Sequence, residues 1–270
     1  KLEEELGIVI FNRSSYPVLP TPAGLPVIER ARVILFHARQ LVEEVAAQKT
    51  SLSGSLSVAL IPTVAPYLLP GFMSAFRRSY PDISLKVTEM RTSTILQELH
   101  LATIDMAILS TPLDDPGLLE VPIYYEKFIA YIAPSEPFYH LGEVSIHELP
   151  PDNLWVLEAG HCLRNQVLNI CDSRTHTSVY EAGSIDTLVK IVDMNGGYTI
   201  IPELHINLLS EVQQKNLRKI VRPEATREVS LVIRHDYIRE GMMNTVANCI
   251  RQIIPAPMID SRLKRFAIRL

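Results

Sequence analysis

Strands and helices alternate one for one through residues 54–109, and that alternation restricts the chain more than any other feature. Leu56 to Ile61 reads as a strand, Pro62-Thr63 turns the chain, and Tyr67 to Tyr80 carries a helical pattern that stops at Pro81. Ile83 to Thr88 reads as a second strand, Thr94 to Leu101 as a helix and Met106 to Leu109 as a buried strand. A βαβαβ order folds as a parallel sheet covered by helices, because parallel neighbours need a crossover between them. A second set starts near Lys127 to Ile132 and continues through Trp155 to Leu157, a helix after Gly160, Thr177 to Tyr180, a helix from Ile185 to Asp193, and Tyr198 to Ile201. Val229 to Ile233 and a helix from Gly241 to Ile254 share the character of the first unit and return the chain to it. The expectation is an α/β fold of two lobes, lobe I about 54–123 plus 228–258 and lobe II about 124–227. A cleft between such lobes is where α/β sheets bind ligands.

The first 50 residues follow a different pattern. Lys1 to Leu6 reads as the end of a helix stopped by Gly7, so the chain is expected to begin inside a structural element. Ile8 to Phe11, the Asn12-Arg13-Ser14-Ser15 turn and Tyr16 to Pro20 form a hairpin-like wing. Thr21-Pro22 supplies an N-cap and the proline favoured at a helix start, and a long helix is expected from there to about Gln48. Its apolar residues Ile28, Ala31, Leu35, Ala38, Val42 and Val45 are spaced 3, 4, 3, 4 and 3, which is a heptad seam. Such a seam packs on its own protein or on a second chain, and its detached position favours the second chain. Thr50 to Ser55 is a hinge of small residues.

Charge by itself argues against nucleic acid, since 26 Lys+Arg face 30 Asp+Glu for a net charge of −4. The split along the chain removes that objection. Residues 1–50 hold six of each sign, so the remaining 20 against 24 account for the whole deficit. No apolar run approaches the roughly 20 residues of a membrane span. The first residues are acidic where a secretion signal is basic and then apolar. Three cysteines are too few for a secreted disulfide framework. The expectation is a soluble cytoplasmic protein.

Two of those cysteines, Cys162 and Cys171, lie in one segment with Leu163, Val167 and Ile170 at helical spacing. Cys162 then falls at the start of a helix, where orphan N–H groups and the macrodipole favour negative charge on sulfur and where His161 and Arg164 stand nearby. Those are features of a reactive thiol, although free cysteine is equally at home in a core. Nine residues of helix rise about 13.5 Å. A disulfide needs Cα atoms about 4.4–6.8 Å apart, so these two can join only if the helix unwinds. Oxidation at this pair would therefore act as a conformational switch. Cys249 sits on an amphipathic helix and reads as core. His161, Cys162, Cys171 and His176 include metal-ligand types but lack a CxxC or HxxxH unit, so neither metal nor other cofactor is expected.

Leu6-Gly7, Phe11, Arg13, Val18, Thr21, Ala23 and Gly24 resemble the LysR-type transcriptional regulators where their DNA-binding domain passes through its wing into the linker helix. Leu60 to Pro70, and Gly160 to Arg164 with Gln166 and Cys171, are similar to the peroxide-sensing branch of that family. The resemblance spans essentially the whole chain. It implies the end of a winged helix-turn-helix domain at 1–20, with Arg13 facing DNA, a dimerisation helix at 21–50, and a periplasmic-binding-protein-like effector domain at 51–270. It implies Cys162 as the thiol that reacts with hydrogen peroxide and Cys171 as its resolving partner. It further implies Thr63, Thr92, His161, Arg164 and Arg234 around the peroxide. Four of them have a plain structural use as well: Thr63 in the turn leading into a helix, Thr92 as an N-cap, His161 as a loop histidine, Arg234 in a surface ion pair. Asn165 stands where an acidic residue is expected and leaves the thiol's surroundings less negative.

The function implied is a transcription regulator, not an enzyme, that works on promoter DNA with RNA polymerase as a homodimer or homotetramer. A thiol-disulfide reductase would reset it. A family member that binds an organic effector in the cleft would keep everything except the cysteine chemistry. A thiol peroxidase would have no use for the wing or the seam, and a solute-binding protein would need neither.

Overall fold

In a computed structural model the described residues are 1–47, 53–171, 182–221 and 224–260. Residues 50–52 of the hinge expected over 50–55, the strand expected over 177–180, and His176 lie outside the described residues. The chain opens with α1 (Leu2–Leu6), which Gly7 ends in the left-handed conformation. β1 (Phe11–Asn12) and β2 (Leu19–Pro20) make the wing, shorter than the sequence suggested. α2 (Gly24–Ala47) follows, and Thr21 Oγ1 accepts the Gly24 N–H at 2.9 Å. Gly24 is required there because a Cβ would fall 2.1 Å from the Ile10 carbonyl oxygen.

The next elements are β3 (Gly54–Leu60), α3 (Ala65–Ser79), β4 (Ile83–Glu89), α4 (Thr92–His100) and β5 (Met106–Thr111). β3 lies between β4 and β5, parallel to both, as the alternation requires. Thr92 is the first residue of α4 and Arg91 its N-cap, so Thr92 does not serve as the cap. β6 (Leu118–Ile132) is one 15-residue strand where the sequence showed only its second half, because Pro122 and the Glu126-Lys127 pair interrupt the apolar pattern. β7 (Glu143–Val144), α5 (Cys162–Ile170), α6 (Ile185–Asn195), β8 (Tyr198–Pro202), α7 (Glu211–Gln214) and β9 (Leu217–Ile220) build lobe II. Trp155 to Leu157 forms no strand and contributes only the single bridge Leu157 to Ala182, beside that of Leu154 to Tyr198. β10 (Thr226–Arg234) and α8 (Glu240–Ile253) complete the described chain apart from short turns.

β10 does not extend the parallel set. It runs antiparallel between β5 and β6, giving the order β4-β3-β5-β10-β6. β6 then passes into lobe II, where its second half pairs with β8 and β9. The lobes therefore share one continuous strand, and each has its own apolar cluster. Phe72, Phe76, Met106, Val232 and Val246 lie in the first; Phe128, Tyr131, Val192 and Ile200 lie in the second.

One face of α2 packs on lobe I. Phe36 enters the core beside Tyr237, and Gln40 Oε1 accepts the Ile238 N–H at 3.2 Å. Arg39 meets the fully buried Asp105 at 2.7 Å, Arg239 meets Glu43 at 2.7 Å, and His37 meets Asp236 at 3.1 Å. Burial pushes the Asp105 carboxyl up, against the Ser57 N–H and Arg39. The lower seam points away from these contacts: Leu35 and Val42 are each 69% exposed, and Val45 and Ala38 are exposed too. Ile28 and Ala31 are half-buried.

Candidate thiol site between the lobes

Gly160 (φ +95°) sets the turn into α5, His161 is its N-cap, and Cys162 is its first residue. The helix is divided between the lobes by its side chains. Leu163, Val167 and Ile170 pack in the lobe II cluster, whereas Cys162, 5% exposed, packs in the lobe I cluster with Leu204. Cys171 caps the far end of α5 against lobe II. Neither thiol is in a disulfide, and nine residues of intact helix, about 13.5 Å of rise, keep them apart. Burial pushes the Cys171 thiol up to about 12, so it holds its proton where it sits. Cys249 is buried on α8, and burial raises its thiol as well.

A buried ion pair lies close enough to Cys162 to feel its charge. β10 and β6 set Arg227 directly across from Glu126, both fully buried, with Nε donating to Glu126 Oε1 at 2.8 Å. Arg227 Nη1 donates to Thr63 Oγ1 at 3.1 Å and Nη2 to the Thr63 carbonyl at 2.9 Å, and Nη2 also donates to the Tyr67 hydroxyl. The Tyr67 hydroxyl lies 2.9 Å from the Thr63 carbonyl and 3.0 Å from Glu126 Oε1. Glu126 Oε2 accepts the Leu204 N–H at 3.2 Å. Burial disfavours the Arg227 cation, but Glu126, then Tyr67, Tyr124 and the nearby Cys162 sulfur more than offset it, so the guanidinium stays charged. A fixed cation in this network can stabilise the negative charge of a leaving hydroxide.

The remaining expected residues divide. Thr63 is in this network, and Thr92 presents a buried Oγ1 that has no hydrogen-bond partner. His161 is buried; desolvation and then Arg91 lower its imidazole below the usual range, against Glu158 at 3.8 Å from Nε2. Arg164 donates to the Leu157 carbonyl at 2.8 Å and secures the loop ahead of α5 within lobe II. Arg13 is on the wing and pairs with Glu3 at 3.0 Å.

Arg234 is a correction. It stands at the far end of β10, opposite Leu118, seven residues or about 23 Å of strand from Arg227. There it pairs with Asp236 at 2.7 Å and donates to the His100 carbonyl at 2.8 Å. The arginine whose charge is coupled to the Cys162 sulfur is Arg227, which sequence reasoning missed along with Glu126. The available signal was a Thr226-Arg227-Glu228 triplet running straight into an apolar strand. Among the described residues no three His, Cys, Asp or Glu side chains group as a metal site, and no helix is long and apolar enough to cross a membrane.

Residues 49–254 match the LysR substrate binding domain family. A hydrogen peroxide-inducible genes activator of Haemophilus influenzae is 34% identical over 238 residues, 87% of this chain and 78% of that protein. The DNA-binding transcriptional dual regulator OxyR of Escherichia coli is 31% identical over 93% of this chain and 83% of its own length. Among solved structures, OxyR from Porphyromonas gingivalis superposes with a TM-score of 0.72 at 32% identity, covering 77% of this chain and 96% of that one. A full-length OxyR variant from Pseudomonas aeruginosa reaches 0.79 at 27% identity, over 93% and 85%. With its two-lobed fold and these relatives, the chain belongs to the LysR-type regulators and, within them, to the OxyR family of hydrogen peroxide-inducible genes activators.

Proposed function

We propose that the protein senses hydrogen peroxide through Cys162 and converts its oxidation into a rearrangement of subunits on promoter DNA. The observation that carries this is the division of α5: its first residue, Cys162, packs in the lobe I cluster and is electrostatically coupled to the Arg227 cation, while Leu163, Val167, Ile170 and Cys171 pack in lobe II. The Cys162 thiolate attacks one peroxide oxygen, the O–O bond breaks, and hydroxide leaves with the electron pair, giving sulfenic acid. The Cys171 sulfur then displaces water from that sulfenic acid and forms the disulfide. Because Cys171 keeps its proton in its buried seat, the second step follows withdrawal of Cys162 and opening of the segment. Two thiols and one peroxide become one disulfide and two waters.

Thr63, Thr92 and His161 hydrogen-bond the oxidant in this reading, and Arg227 stabilises charge. The exposed seam of α2 pairs two chains, a second interface makes a tetramer, and the wing with Arg13 contacts DNA. The domains proposed are 1–20 for the wing, 21–50 for the linker and 51–270 for the effector, with lobe I about 54–123 plus 228–258 and lobe II about 124–227. RNA polymerase is the partner in transcription and a thiol-disulfide reductase resets the switch in the cytoplasm; the protein does not turn over substrate. An organic effector in the cleft is disfavoured because Glu126 already occupies the guanidinium that a ligand carboxylate would seek.

Peroxide at low molar excess is expected to link Cys162 to Cys171, seen by peptide mass spectrometry. Cys162→Ser abolishes the response, and Cys171→Ser leaves a sulfenic acid that dimedone traps. Free thiols after treatment of the parent protein refute the proposal and favour the organic effector.

A further inference from the structure

A residue from the opposite lobe lies across the turn that leads into Cys162. Arg91, the N-cap of α4 in lobe I, ion-pairs with Glu158 in lobe II. Its stem crosses the turn, with Cδ 3.4 Å from where a Cβ on Gly160 would stand. Gly160 has a positive φ that a side-chain-bearing residue adopts only with strain, and Arg91 covers the bare face it leaves. Glu158 Oε1 is 3.8 Å from His161 Nε2, and that nitrogen is buried with no hydrogen-bond partner. One lobe I side chain is thus tied to the carboxylate beside the imidazole that precedes the thiol.

We propose that Arg91 and Glu158 are positioning residues for the peroxide reaction: their ion pair straps lobe I to the 158–162 turn and fixes where the His161 imidazole stands next to Cys162. The inference rests on the peroxide function proposed above. Arg91 and Glu158 are 49% and 34% exposed. A pair that open to water adds little to stability, so its effect lies in geometry. The charged groups facing His161 are these two, Arg91 from α4 and Glu158 from its own turn. Burial and Arg91 favour the neutral ring and Glu158 opposes them, so the strap holds the imidazole between two opposed charges. Withdrawal of Cys162 from lobe I pulls on this same turn, and the strap must release for the switch to complete.

The test uses the full chain in its reduced form. The parent is compared with Arg91→Gln, Glu158→Gln and Arg91→Lys in two measurements, the rate constant of Cys162 oxidation by peroxide and the titration midpoint of His161 by NMR. Oxidation is expected to slow about 10-fold in both Gln variants, as for a misplaced reacting group. Arg91→Lys keeps a cation within reach of Glu158 and stays within about threefold of the parent. The His161 midpoint rises in Arg91→Gln and falls in Glu158→Gln, opposite movements that a general loosening would not produce. Parent-like rates in both Gln variants overturn the proposal, and so does a midpoint that moves the same way in both or in neither. If the parent thiols stay free under peroxide, the function proposed above fails; the midpoints, read without peroxide, still decide whether the strap sets the imidazole.

Discussion

Glu126→Gln leaves Arg227 as a buried cation whose remaining partners, Thr63 and Tyr67, carry no charge. Breaking one side of a fully buried pair costs about 3–5 kcal/mol, because the surviving ion keeps its desolvation penalty. For a chain of this size that is a fall in melting temperature of about 6–20 °C. The double variant Glu126→Leu/Arg227→Met removes both charges at once. Tyr67 can then give its proton wholly to the Thr63 carbonyl, and the main loss is the acceptor of the Leu204 N–H, about 1–3 kcal/mol. The double variant is therefore expected to melt above the single one. Peroxide reactivity should order the other way: Glu126→Gln keeps the cation and oxidises readily, while the double variant loses about 10²-fold, the scale for removing one preorganised donor. Thermal melts of reduced protein and stopped-flow oxidation measure the two orders. A single variant as stable as the parent would mean the pair is not desolvated, and parent-like oxidation of the double variant would remove Arg227 from the chemistry.

Three further outcomes are expected. Val42→Asp with Leu35→Asp places charge on the exposed seam and should convert the assembly to a smaller species by analytical ultracentrifugation, with the melt of lobe I unchanged; an unaltered sedimentation coefficient refutes the seam. His205 is buried, and desolvation lowers its imidazole despite Asp186 at 3.6 Å, as burial also lowers His161. The unfolded chain then takes protons first, so stability should fall as pH drops below about 6.5, by up to about 1.4 kcal/mol per pH unit for each such histidine; His205→Phe should flatten that slope between pH 7 and 5. Arg234→Gln breaks the Asp236 pair and should loosen the α2 junction at His37 while leaving the peroxide rate unchanged, whereas a slowed rate would return Arg234 to the thiol site.

The parallel unit β3 to β5 was legible because Pro62 and Pro81 bound its elements, β3 and β4 alternate apolar with polar residues, and β5 is a short buried run. α5 and its cysteines were legible for a related reason: helical spacing depends only on near neighbours. β6 was half hidden, since Pro122 faces Ser230 where the ladder shifts register, leaving Ile123 as an extra residue on β6 that a local apolar pattern does not reveal. Arg227 was invisible for the same reason carried further. Its partners Glu126 and Thr63 lie 101 and 164 residues away, and nothing near it in sequence distinguishes a satisfied buried arginine from a solvated one. Arg234 was named on the family resemblance, while its place at the end of a strand, where polarity usually means surface, also allowed the ion pair it makes with Asp236.

Among the described residues, lobe I grips α2 through Phe36, His37, Arg39, Gln40 and Glu43, toward one end of a 24-residue helix. From Gln40 back to Gly24, where the wing is fastened, the helix extends about 24 Å. A tilt of about 10° in lobe I is thereby magnified to about 4 Å at the wing, a large part of the roughly 6 Å width of a DNA minor groove. With the wing on DNA, as proposed above, small angular adjustments of lobe I reach it as displacements that a base-pair register can resolve.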